Sequence, residues 1–106
     1  MLGLEQVHDH NIVYRDFKPE NIMIDIDGHA YIADFGLAKP KISTINDRAY
    51  SFCGSPEYMP PEMIMKEGHS LPVDFYCIGA LLYELVTGLP PFYNTDPDVI
   101  YEGTLN

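Results

Sequence analysis

Apolar positions along the chain fall into short, separated groups, and their spacing predicts a mixed set of elements. Leu2, Leu4 and Val7 recur in a polar context, as in the closing turns of a helix. Ile12, Val13 and Tyr14 are consecutive strand formers. The polar run from Arg15 to Asn21 contains Pro19 and reads as a loop. Two apolar runs, Ile22-Met23-Ile24 and Ala30 to Ala33, flank Asp27-Gly28 and predict a β-hairpin. From Asp34 to Glu57 neither period persists, and Ser, Thr, Asn, Pro and Gly are frequent. A stretch of that length without regular structure is more often functional than idle. Met59 to Ile64 predicts a short helix opened by proline. Asp74 to Thr87 is apolar on nearly every side and stopped by Gly88 and Pro90-Pro91, the pattern of a central, fully buried helix. Asp96 followed by Pro97 supplies the cap and first turn of one more helix, which the chain leaves short of three turns.

Composition narrows the classes of function. At 106 residues the chain is one domain or a piece of one, and its 46% apolar content is too high for a disordered acidic segment. Sixteen acidic against six basic side chains give a net charge of −10, which argues against a sequence-independent grip on nucleic acid and favours cationic partners. Cys53 and Cys77 form no Cys-x-x-Cys pair, so a zinc ribbon or redox pair is not expected. Both are read as inert free thiols of a reducing compartment, which makes the cytoplasm the expected location, with the nucleus as the alternative. No basic region followed by an apolar core opens the chain, so no signal peptide is expected. Asp74 and Glu84 interrupt the longest apolar stretch, so no membrane insertion is expected.

Candidate chemistry lies in the loops. Tyr14-Arg15-Asp16-Phe17-Lys18-Pro19-Glu20-Asn21 puts an acid, a lysine and an amide within a few residues of non-helical chain, and Asp34-Phe35-Gly36 follows directly beyond the hairpin. A hairpin that holds these two loops side by side brings Asp16, Lys18, Asn21 and Asp34 toward one point. Asn21 and Asp34 offer hard oxygen ligands of the kind Mg²⁺ takes when substrate phosphates complete its shell. Lys18 is a cationic donor for a transferring phosphoryl group, and Asp16 is free to accept a hydroxyl proton.

These two loops, with Pro60-Pro61-Glu62 further on, resemble the catalytic loop, magnesium loop and Ala-Pro-Glu motif of eukaryotic protein kinases, across essentially the whole chain. Tyr14 before Arg15-Asp16, the run Ser51 to Tyr58, and the segments Gly79 to Leu85 and Gly88 to Tyr93 resemble the AGC group of serine/threonine kinases, which includes the serum/glucocorticoid-regulated, protein kinase B and ribosomal S6 kinases. The resemblance implies an α+β, protein-kinase-like fold, of which residues 1–106 are a partial C-terminal lobe. That lobe would be mainly helical, with a short β-hairpin carrying the catalytic and magnesium loops. The parts would be a catalytic loop at 14–21, a hairpin at 22–33, an activation segment at 34–62 and a central helix at about 74–87. The implied activity is ATP-dependent phosphorylation of serine or threonine in proteins, with ATP and Mg²⁺ as cofactors.

Further roles follow from the same resemblance. Ser51 matches the activation-loop phosphosite, which implies an upstream activating kinase, and Arg15 and Lys39 match the cations that receive its phosphate. Ser55 stands where a threonine usually bonds the catalytic Asp and Lys. Asp74 matches the acid that hydrogen-bonds the catalytic-loop backbone. Tyr14 and Phe35 match two stacked apolar residues linking the lobes, Gly36 completes the magnesium loop, and Met23, with Lys18, matches the nucleotide site. Glu62 matches an acid that pairs with an arginine of a later helix. Phe17 and Pro60 replace a common leucine and alanine.

Other polar residues receive plainer readings. Asp9, Asp47 and Asp98 are read as solvated or capping residues. Met23-x-Asp25-x-Asp27-Gly28 lacks the first and last ligands of a calcium loop and is read as an ordinary hairpin. His8, His10, His29 and His69 lack metal-site companions and are read as surface histidines. Glu20, Glu57 and Glu84 match acids that contact arginines upstream of the phosphoacceptor in kinases with basic substrates; an internal structural pair for Glu84 is the alternative. No glycine-rich loop or Val-Ala-x-Lys strand is present, so the chain by itself is expected to expose large apolar patches and to show little or no kinase activity. A noncatalytic interaction module derived from a kinase is the competing reading, and a calcium/calmodulin-type kinase a third.

Overall fold

Leu4 is the buried anchor of the first element, helix α1 (Leu2–Asp9), in the computed structural model, which describes all of residues 1–106. Strand β1 (Ile12–Val13) follows, then a loop ending in the 3-10 turn Pro19–Asn21, and the hairpin of β2 (Ile22–Ile24) and β3 (Ala30–Ile32). Strand β4 (Lys39–Pro40), a 3-10 turn at Pro56–Tyr58, and helices α2 (Pro61–Ile64), α3 (Pro72–Thr87) and α4 (Pro97–Leu105) complete the chain. No helix is long and apolar enough to cross a membrane.

The hairpin forms as its pattern predicts, with Met23 opposite Tyr31 in antiparallel register. Its tip is held by one carboxylate. Asp25 Oδ1 accepts from the N–H groups of Asp27 and His29, both at 2.9 Å, and Gly28 takes a φ of 87° that a side chain would strain. The bond from the His29 backbone, with those from Tyr31, Asp27 and Gly28, holds the Asp25 carboxyl below its ordinary range. Asp25 therefore closes a turn, as the plain hairpin reading requires.

The stretch 34–57 is less irregular than its composition predicts. Lys39 pairs with Val13 and Pro40 with Ile12 in a second two-stranded antiparallel sheet, and a backbone bridge joins Ala49 to His69. Neither contact has a local signal, because each borrows its partner from a remote segment. Pro40 lacks an N–H, which an edge strand tolerates.

Two apolar clusters hold these pieces together. One gathers Leu4, Tyr14, Phe17, Tyr58, Cys77 and Ala80; the other gathers Val13, Ile42, Ala49 and Val73. Both draw on α3, which starts two residues earlier than its pattern indicates because Pro72 fits a first helical turn. The expectation that α3 is fully buried fails. Val73, Asp74, Cys77 and Ala80 form one buried stripe, while Phe75, Leu82, Leu85 and Val86 are half or more exposed. Apolar patterning shows what a helix could bury, and burial needs neighbours, which this chain supplies on one side only. The expected exposed apolar surface is thus present. Helix α4 opens as predicted, with Asp96 Oδ1 accepting from Asp98 N–H at 3.0 Å and Pro97 in the first turn.

Candidate active site

Asp74, on the buried stripe of α3, determines where the 14–21 loop begins. Its side chain is fully buried, and its oxygens accept from Arg15 N–H at 2.7 Å, Tyr14 N–H at 2.8 Å and His8 Nε2 at 2.8 Å. A carboxylate without a neighbouring Lys or Arg side chain is tolerable at that depth because three donors surround it. The bonded backbone is unusual, since Arg15 has a φ of 70°. Asp34, at the far side of the site, is likewise left-handed at 59°. Strained non-glycine residues of this kind persist where surrounding contacts over-determine them.

Tyr14 is the centre of an aromatic stack. Its ring lies 4.6 Å from that of Phe17 and 5.2 Å, edge on, from that of Phe35. Its hydroxyl donates to the Ala33 carbonyl. Burial first, and then the nearby carboxylates of Asp16, Asp34 and Asp74, push the phenol up to about 12, so it stays a donor. This stack fastens the Asp34-Phe35-Gly36 loop to the 14–21 loop.

Asn21 is the second fastening. Its buried amide nitrogen donates to Asp16 twice, to the backbone oxygen at 2.9 Å and to Oδ2 at 2.8 Å. The Asn21 backbone carbonyl accepts from Ala33 N–H at 2.9 Å, which ties the loop to the end of the hairpin. Lys18 Nζ lies 3.9 Å from Asp16 Oδ1 and 3.5 Å from Ser55 Oγ. Asp34 is exposed, and its Oδ1 accepts from Gly36 N–H at 3.0 Å. Gly54 is required nearby: its φ is 100°, and a Cβ there would meet the Arg15 carbonyl at 3.3 Å. Asp16, Lys18, Asn21 and Ser55 are thus brought together, and Tyr14 links Asp34 to them. Asn21 and Asp34 carry no ion pair, and an amide and a carboxylate are hard oxygen donors, which suits Mg²⁺ with substrate phosphates completing the shell.

The remaining expected site residues are more dispersed. Ser51 and Lys39 are both exposed, Lys39 on β4, with no hydrogen bond between them. Arg15 is buried, its Nε donating to the Leu37 carbonyl at 2.8 Å and its guanidinium meeting His69 Nε2 at 3.3 Å. Met23 is exposed on β2, and Glu62 has no ion-pair partner. Glu84 is half-buried and accepts from the Tyr58 hydroxyl. Desolvation first, and then Glu20 and Glu57, raise its carboxyl above the ordinary range, and none of the three acids forms an ion pair.

Two of the four histidines are not on the surface. His69 is 1% exposed, and burial together with the Arg15 charge lowers it to about 4; His8 is half-buried against Asp74. Sequence reading misplaced both because their partners lie more than fifty residues away. No local signal in the sequence separates either from an ordinary surface histidine. Tyr58 carried no signal as the partner of Glu84.

Paired loops tied by Asn21 and a tyrosine–phenylalanine stack, under a helix whose buried aspartate caps the loop backbone, define a catalytic lobe of the kinase type. The chain belongs to the protein kinase domain family, which it matches over residues 1–106. Among curated proteins it is 50% identical over 104 residues to "Protein kinase 2" of Dictyostelium discoideum and 48% identical over 100 residues to the human serine/threonine-protein kinase Sgk2. It is also 45% identical over 105 residues to the serine/threonine-protein kinase gad8 of Schizosaccharomyces pombe. These alignments cover 98%, 94% and 99% of this chain and 21%, 27% and 18% of the respective relatives. The AGC-type resemblance agrees with all three, and the chain spans about a quarter or less of these curated relatives.

Proposed function

We propose that the protein carrying this segment transfers the γ-phosphoryl group of ATP to serine or threonine hydroxyls in proteins, with a preference for arginine upstream of the acceptor. The observation that carries this reading is the pair of hydrogen bonds that the Asn21 amide donates to Asp16, with Lys18 alongside. Mg²⁺-ATP, when bound, would supply the phosphoryl group, with ADP as the leaving group, and its metal would offset the phosphate charge. Asn21 aims the Asp16 carboxylate, Asp16 takes the proton from the acceptor hydroxyl, and Lys18 offers an N–H to the phosphoryl oxygens. Asn21 and Asp34 would hold the metal. Ser55 holds Lys18 in reach, and Arg15 with Lys39 receives a phosphate on Ser51 from an upstream kinase.

A chimaera tests the activity directly, with this chain replacing the matching segment of human Sgk2. It is expected to phosphorylate a serine peptide bearing upstream arginines. A chimaera that folds, binds Mg²⁺-ATP and phosphorylates nothing overturns the reading.

The arginine preference rests on the three acids. Glu20 and Glu57 both oppose the charge on Glu84, and a guanidinium would relieve that opposition. Glu84→Gln in the chimaera is expected to lower kcat/KM about tenfold for an arginine-containing peptide, as loss of one charge-assisted hydrogen bond requires. A peptide without arginine is expected to be unaffected. An unchanged ratio between the two peptides returns Glu84 to a structural role, bonded to Tyr58.

A further inference from the structure

Arg15 joins three segments that are distant in sequence. Its backbone N–H is held by Asp74, its Nε by the Leu37 carbonyl, and one of its terminal nitrogens by His69 Nε2. His69 is itself pinned, because its backbone exchanges two hydrogen bonds with Ala49, at 2.7 and 2.8 Å, two residues before Ser51. The adjoining Gly68 lies close under the Tyr50 ring, which keeps this turn against the segment that carries Ser51. The His69 backbone therefore cannot withdraw from this position without breaking its bridge to the activation segment.

We propose that His69 is a positioning residue: its imidazole, neutral and protonated on Nδ1, accepts a hydrogen bond from Arg15 and sets the direction of the guanidinium. A guanidinium has donors only, so Nε2 must offer a lone pair, and the proton of the neutral ring is then on Nδ1. The charged group facing the ring is Arg15 itself, and Asp74 lies beyond it at the arginine backbone. Burial and the arginine charge both oppose a second proton on the ring. With Nε and one terminal nitrogen engaged, the other N–H groups of Arg15 are presented in a fixed fork. A long side chain ordered beforehand loses less freedom when it meets an anion. The purpose of this ordering rests on the reading above, in which Arg15 receives the Ser51 phosphate.

The test is nuclear magnetic resonance on the Sgk2 chimaera, labelled selectively in its histidine and arginine side chains. Long-range proton–nitrogen spectra of the unsubstituted protein are expected to show His69 as the Nδ1–H tautomer, with no titration until about pH 4. The Nη protons of Arg15 are expected to be resolved by hindered rotation. They stay resolved in His69→Gln, whose amide oxygen replaces the acceptor, and collapse to one averaged signal in His69→Phe, which keeps a ring but accepts nothing. An Nε2–H tautomer, a titration near the ordinary value of about 6.5, or unaltered Arg15 signals in His69→Phe overturns the proposal. The tautomer is read without any substitution, so poor folding of a variant leaves the decision intact. A chain with phosphoserine at position 51 separates the two readings by phosphorus resonance. Its second pKa is expected to fall below the free value of about 6 and to return toward it in His69→Phe. A phosphoserine that titrates as if free overturns phosphate reception by Arg15, while the tautomer and the Arg15 signals still decide His69.

Discussion

Asp74→Ala is expected to cost about 3–5 kcal/mol of folding stability, the range for removing one partner from a buried charged network. The physical account is local. The Asp74 oxygens satisfy Tyr14 N–H, Arg15 N–H and His8, and alanine leaves the two backbone donors buried beside a void. Each orphaned donor costs about 1–3 kcal/mol. Native domains retain only about 5–15 kcal/mol in total, so the variant lies near the limit of folding. His8→Ala removes one donor of three from a half-buried position and should cost about 1 kcal/mol. Urea unfolding followed by far-ultraviolet circular dichroism measures both. A loss under about 1 kcal/mol for Asp74→Ala would mean that water replaces the carboxylate, and that Arg15 holds its left-handed backbone unaided.

The second large effect is on chemistry. Asp16→Asn in the Sgk2 chimaera is expected to lower kcat by about 10²–10⁴-fold, the usual contribution of a positioned general base. The substitution keeps the shape of the side chain, and the backbone bond from Asn21 to residue 16 survives it, so the loop should stay in place. What disappears is the carboxylate proposed above to take the proton. KM for the peptide should change little, because the lost interaction belongs to the transition state. Steady-state phosphorylation assays decide it, and a kcat within about tenfold of the parent chimaera sinks the role given to Asp16.

Much of the site is legible in the sequence because its residues lie close together along the chain. Asp16, Lys18 and Asn21 lie on one short loop, and a three-residue-a-side hairpin brings Asp34 back to it. A hairpin is a local structure, so its register and what it juxtaposes follow from strand formers, Asp27-Gly28 and little else. The starts of the second and fourth helices are legible for the same reason, since Pro61 and Pro97 each sit in a first turn and Asp96 caps its own helix.

What failed was non-local. The apolar pattern of α3 described a helix able to bury every face, yet whether Leu82 or Val86 is covered depends on neighbours that no window of sequence contains. His69 and His8 looked like any surface histidine, because their environments come from Arg15 and Asp74, more than fifty residues distant. Strand β4 exists only because β1 offers it an edge.

The sequence by itself determined the local chemistry of this protein: the loop with Asp16, Lys18 and Asn21, the hairpin returning Asp34, the helix caps and the family to which these motifs belong. Tertiary structure alone decided which polar groups are buried together. It placed His69 against Arg15, His8 against Asp74 and the Tyr58 hydroxyl on Glu84. The reason is that motif and turn chemistry act over a few residues. Desolvation and the pairing of buried charges depend on every segment that closes around them, and only the assembled fold brings those segments together.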